Sequence, residues 1–139
     1  MVINKGWFIE KISAFLSHDE SNKMTRVDNS LIFDPNVLVG FVSGADPIFL
    51  EYKKIIGTFH FTPAEVYEWF CKKYNLSPVP LNKISVVAFI LPINGTTKKQ
   101  HAEYSKEYPS EKWANTRLFG EQANEKLQQH LVNELKKKG

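Results

Sequence analysis

The segment that most narrows what this chain can fold into is ISVVAFIL, Ile84 to Leu91. It is a continuous apolar, largely β-branched run bounded by proline and followed by Asn94-Gly95. That pattern predicts a strand near 84–91, covered on both faces and central in a small sheet. A second strand is predicted near 37–43, where Val37 to Val42 is apolar and β-branched around Gly40. The expected fold class is therefore α/β, with a small sheet flanked by about four helices and a long C-terminal one.

The helices are legible from period and punctuation. Phe8, Ile9, Ile12, Phe15 and Leu16 recur at three- and four-residue spacings, predicting a helix over 5–16. Asp46-Pro47 opens a second helix, with Ile48, Phe49, Tyr52, Ile55 and Ile56 on one face and Gly57 at its end. Thr62-Pro63-Ala64-Glu65 reads as a capping box ahead of a buried stripe of Val66, Trp69, Phe70 and Tyr74. Ser110 is the expected cap of the last helix, whose Phe119, Ala123, Leu127, Leu131 and Leu135 repeat every four residues. Gly120 inside that helix predicts close backbone packing or a slight kink.

Two stretches carry no period. SHDESNKMTRVDNS, residues 17–30, reads as a mobile loop or a segment ordered by a partner, and Thr96 to Pro109 as a loop with at most a turn of helix. A chain of 139 residues is long enough for one core. The expected organisation is one domain over 1–139: helix 5–16, loop 17–30 and α/β core 31–139.

Charge excludes some partners. Eighteen Lys and Arg against fifteen Asp and Glu give +3, and only Lys136 to Lys138 are clustered. Without a basic face or a reading motif, direct nucleic-acid binding is not expected. No apolar run reaches the length of a membrane span, and Glu10 and Lys11 interrupt the start, unlike a signal peptide. A cytoplasmic protein without membrane contact is the expectation. The single cysteine, Cys71, agrees with a reducing compartment and reads as a buried structural thiol.

Catalytic signatures are missing. Gly40 to Gly44 matches neither GxxxxGK[ST] nor GxGxxG, so its glycines are assigned to turn-making. His18, His60, His101 and His130 are widely separated, and none stands at metal-ligand spacing from a carboxylate or from Cys71. His60, between Phe59 and Phe61, reads as a packed histidine. No GxSxG elbow or Cys/His constellation supports a nucleophile.

Three blocks in order carry a resemblance: LVGFVSGADPIFLEYKKIIGTFHFTPAEV, KISVVAFILPI and PSEKWANTRLFGEQANEKLQQHLVNEL. Together, over roughly Leu38 to Gly139, they resemble the amino-terminal part of iron-sulfur proteins related to epoxyqueuosine reductase. Those proteins are corrinoid-dependent oxidoreductases of tRNA modification. The aromatic-Gly step Leu118-Phe119-Gly120 and the Leu127, Leu131, Leu135 repeat are part of that likeness. The family holds two 4Fe-4S clusters in a ferredoxin-like module beyond this region. This chain has no C-x2-C-x2-C-x3-C-P run, so no such cluster is expected in it.

The resemblance implies the N-terminal, corrinoid-side domain of such a protein, truncated before its cluster-binding module and inactive alone. Cobalamin is the cofactor it implies. Trp113, Asn115 and Arg117, at the start of the final helix, are the expected cofactor contacts, with Arg117 suited to propionamide or phosphate groups. The alternative is a non-catalytic interaction module that uses the polar segment Ser17 to Ser30 and an unpaired sheet edge to form a homodimer or bind a cluster-bearing subunit.

Overall fold

Asn4 starts the first helix, α1 (Lys5–His18), by accepting a hydrogen bond from the Trp7 amide at 3.0 Å. The computed structural model describes residues 3–104 and 107–139. Among these it contains β1 (Leu38–Ser43), α2 (Ile48–Ile56), α3 (Pro63–Tyr74), β2 (Ser85–Ile90), α4 (Gly95–Tyr104) and α5 (Glu111–Lys136). Strands β1 and β2 pair as a two-stranded antiparallel sheet. The α/β class with a small sheet and a long final helix is thus the observed one.

The chain divides into two compact units: unit 1 is Met1–Val39 with Phe89–Gly139, and unit 2 is Gly40–Ala88. The division falls inside both strands.

Unit 1 holds the larger core. Trp7, Phe8, Ile12, Phe15 and Leu16 are buried on α1, which packs on α5. The buried stripe of α5 is Thr116, Gly120, Ala123, Leu127 and Leu131. The expected four-residue repeat is thus only partly the buried one, because each four-residue step overshoots a full turn by about 40°. Phe119 and Leu135 are half-buried, and Gly120 takes the position between Thr116 and Ala123. A Cβ on Gly120 would lie 3.0 Å from Phe33 Cζ, so the residue permits close packing, as its place in the sequence predicted.

The segment read as a mobile loop is instead built into this core. Residues Glu20–Asn22 form a 3-10 turn, and Asn22 and Met24 of the segment are fully buried, as is Ile32 just after it. Asn22 supplies the order: its Nδ2 donates to Leu16 O at 2.7 Å and Phe33 O at 2.9 Å, and its Oδ1 accepts from Phe33 N at 2.9 Å. A polar side chain here takes the role expected of an apolar one, because it satisfies backbone groups that burial would otherwise orphan.

Residues 96–104, read as loop, belong to α4. Asn94 Oδ1 accepts from the Thr96 amide at 2.9 Å, and only Thr97 is buried on the helix. The rest of that predicted loop includes 105–106, which lie outside the described residues.

Unit 2 follows its predicted caps with one shift: Pro47, expected as the first helical residue, stands at the N-cap of α2 and makes no side-chain cap bond, and Asp46 lies one residue before it. Asp46 Oδ1 accepts from Ile48 N at 2.9 Å ahead of α2, and Gly57 ends that helix at φ 136°. The Thr62 amide donates to Glu65 Oε2 at 2.8 Å while the Glu65 amide donates to Thr62 Oγ1 at 3.3 Å. Gly44 donates to Ile84 O at 2.7 Å, and a Cβ there would meet Leu81 O at 3.1 Å. That glycine serves close approach of the backbone.

The apolar stripes of unit 2 are not buried. No residue of α2 is buried, α3 buries only Cys71, and Val66, Trp69, Phe70 and Tyr74 are exposed. Nor is any residue of β2 buried, contrary to the expected cover on both faces. A two-stranded sheet with two helices gives too few facing surfaces to cover such residues.

Candidate functional site

The first turn of α5 is fixed by side chains from α4 and from the 17–30 segment. The Ser110 amide donates to His101 Nδ1 at 3.4 Å, and the Lys112 amide donates to Gln100 Oε1 at 3.2 Å. Lys112 Nζ reaches Asp28 Oδ2 at 2.7 Å and Ser30 Oγ at 3.2 Å. The Lys112 ammonium, with the hydroxyl and amide of Ser30, holds the Asp28 carboxyl at about 2, well below its ordinary 3.8.

Beyond this anchored turn, α5 forms one wall of a groove of about 570 Å³ in unit 1. The opposite side is apolar, with Phe33, Leu91 and Ile93, and the α5 side presents Arg117, Asn124 and Gln128, with Glu121 among them. The polar positions step by four, three and four residues, which places them on one helix face. Among the described residues Arg117 makes no ion pair, and Asn124 and Gln128 make no side-chain hydrogen bond. The groove therefore offers a guanidinium and two carboxamides with open hydrogen-bonding capacity above an apolar floor.

The three expected contacts do not converge. Arg117 lines this groove and is exposed. Asn115 lines a separate cavity of about 200 Å³ with Arg26, Phe119 and Lys126. Trp113 stacks on His101, with ring centroids 4.6 Å apart and planes 11° apart. Residues two apart on a helix face different directions, which separates Asn115 from both of the others. Asn124 and Gln128 were not anticipated; projecting the sequence on a helix from Arg117 would have placed them beside it.

Unit 2 carries a different surface. A groove of about 780 Å³ between α2 and α3 is lined almost wholly by apolar side chains, among them Tyr52, Ile56, Phe61, Val66 and Phe70. His60 lies in it, half-buried. Phe61 and Val66 continue into a neighbouring hollow with Trp69.

Cys71 is free and buried. Among the described residues no cluster of three or more His, Cys, Asp or Glu is placed to hold a metal ion, and no helix is long and apolar enough to cross a membrane. No known family model, curated protein or solved structure matches this chain.

Proposed function

We propose that this chain is the corrinoid-side domain of an epoxyqueuosine-reductase-like iron-sulfur protein, working in the cytoplasm with a cluster-bearing module supplied outside these 139 residues. The reading rests on the resemblance of the three blocks, and one observation carries it further. Leu91 and Ile93, in the segment after β2, line one groove with Arg117, the one of the three residues expected at the start of α5 that reaches it, and with Glu121, Asn124 and Gln128 farther along the helix.

That donor set fits a corrinoid, whose ring is apolar over much of its face and carries amide arms at its rim. Arg117, Asn124 and Gln128 would hold the arms, while Phe33, Leu91 and Ile93 exclude water from the ring. When bound, the corrinoid supplies the electron-transfer or cobalt-centred step. The chain's own part is binding, orientation and exclusion of solvent. The test is a cobalamin titration followed by visible absorbance: a saturable spectral change is expected, weakened severalfold by Arg117→Ala. No change at excess cobalamin, with the chain folded by circular dichroism, ends the assignment.

A second reading is favoured by one observation in unit 2, the exposure of its apolar side chains. On this reading the chain is a non-catalytic interaction module that associates through that surface and not through the 17–30 segment, whose Asn22 and Met24 are buried in unit 1. It predicts a dimer or a stable complex, and a monomer at all concentrations by light scattering counts against it.

A further inference from the structure

We infer that the α2–α3 groove of unit 2 is a self-association surface, closed in solution by the same groove of a second copy of this chain. The inference rests on the interaction-module reading and names its partner.

Unit 2 has an imbalance between what is apolar and what is covered. Phe61 is 72% exposed, Trp69 58% and Val66 51%, and Tyr52, Ile56 and Phe70 are each more than two-fifths exposed. Cys71 is the only hydrophobic side chain buried among the described residues of this unit. At about 200 Å² per large side chain, the six leave roughly 600 Å² of apolar surface in water. That is at the upper end of what a monomer tolerates as one patch. It is also close to the apolar share of the ~800 Å² that each partner contributes to a standard stable interface.

The composition of the face suits contact with its own copy. Tyr, Trp and Phe supply most of it, and these side chains dominate the centres of protein interfaces. Its neighbouring charges are satisfied within the unit: Lys53 pairs with Glu65, Lys54 with Glu51 and Lys72 with Glu68. Lys73 lies over the Trp69 ring, 4.7 Å from its centroid, and is exposed to screening by salt. A two-fold contact puts identical patches face to face, so a patch dominated by one charge would repel itself. This one is apolar, and its flanking carboxylates Glu51, Glu65 and Glu68 are paired within the unit, so a two-fold arrangement brings no unpaired carboxylates together; Lys73 is the flanking cation outside those pairs.

The test is sedimentation equilibrium on the full chain over a wide concentration range, with Val66→Lys on α3 and Tyr52→Ser on α2 as variants. Both positions are exposed in the monomer, and circular dichroism checks that the helices remain. A dimer is expected, with dissociation in the micromolar range or tighter, and each variant raises the dissociation constant at least about tenfold. A dimer indifferent to both folded variants overturns the assignment of this face and leaves the module reading standing. A monomer throughout overturns the inference and counts against the reading with it. Should a variant unfold, iodide quenching of the unsubstituted chain decides: quenching of tryptophan that rises on dilution supports burial of Trp69 between copies, and quenching independent of concentration overturns it.

Discussion

Asn22 grips the backbone of Phe33 at both ends of its carboxamide, accepting from the Phe33 N–H and donating to the Phe33 carbonyl, each at 2.9 Å. The same amide nitrogen reaches Leu16 O at 2.7 Å. One fully buried side chain thereby ties the end of α1 to the strand-like segment that floors the α5 groove.

Asn22→Ala is expected to destabilise the chain by about 3 kcal/mol, since it leaves buried backbone donors and acceptors without partners. Urea denaturation monitored by Trp fluorescence measures this. A loss below about 1 kcal/mol would mean that water or a neighbouring group replaces the amide, and the clamp would not be the source of order in residues 17–30.

The Asp28–Lys112 contact gives a pH dependence with a definite sign. The folded carboxyl titrates at about 2, below its ordinary 3.8, so the charged form favours folding. Its contribution is fully present above about pH 4 and disappears as pH falls through 2. Because Asp28 is partly exposed, solvent limits the gain to about 1 kcal/mol at most. Lys112→Met should flatten this part of the stability profile, measured by thermal melts between pH 2 and 6. An unchanged slope would show that the Ser30 contacts alone hold the carboxylate.

Gly120 sets the depth of the same groove. Gly120→Ala gains about 1 kcal/mol of helix propensity and meets Phe33 Cζ at 3.0 Å, so the two effects offset and stability changes little. Gly120→Leu has no such compensation and should cost about 2 kcal/mol or more. It also drives the Phe33 ring aside, so, if the groove takes cobalamin as proposed, its affinity should fall further in this variant than in Gly120→Ala. Denaturant titration and visible absorbance read the two effects separately.

The Thr62–Glu65 box closes the amino end of α3. Thr62→Ala removes the side-chain acceptor for the Glu65 amide and is expected to cost about 1 kcal/mol, while Thr62→Ser restores most of it. Hydrogen exchange at the first turn of α3 follows the loss directly; equal protection in both variants would remove the hydroxyl from the account.

Local rules written in few residues were readable from sequence. Thr62 with Glu65, Asp46 ahead of α2 and Gly57 behind it act over two to four positions, so their partners are visible without a fold. Asn22 could not be read this way, because its partners Leu16 and Phe33 come from separate segments and its polar type suggested solvent. Helix α4 was hidden for a related reason: with Thr97 its only buried residue, TTKKQHAEY shows no apolar stripe. The opposite error arose in unit 2, where periodic Val66, Trp69 and Phe70 announced a buried face that the unit does not bury. Apolar period reports which side chains favour burial, and a second surface must exist to receive them. At the candidate site Arg117 was legible as a cation on α5, whereas Asn124 and Gln128 required the helix register, and Asn115 lies on a different cavity.

Cys71 makes α3 its own stopwatch. The residue is buried at the edge of a hollow of about 570 Å³, so alkylation is slow in the closed helix and the labelling rate reports its openings. With no other hydrophobic side chain of unit 2 buried among the described residues, the thiol should be modified under native conditions well before the whole chain melts. Weakening the helix start by Thr62→Ala should quicken the reaction roughly fivefold, and mass spectrometry of the single adduct would time it.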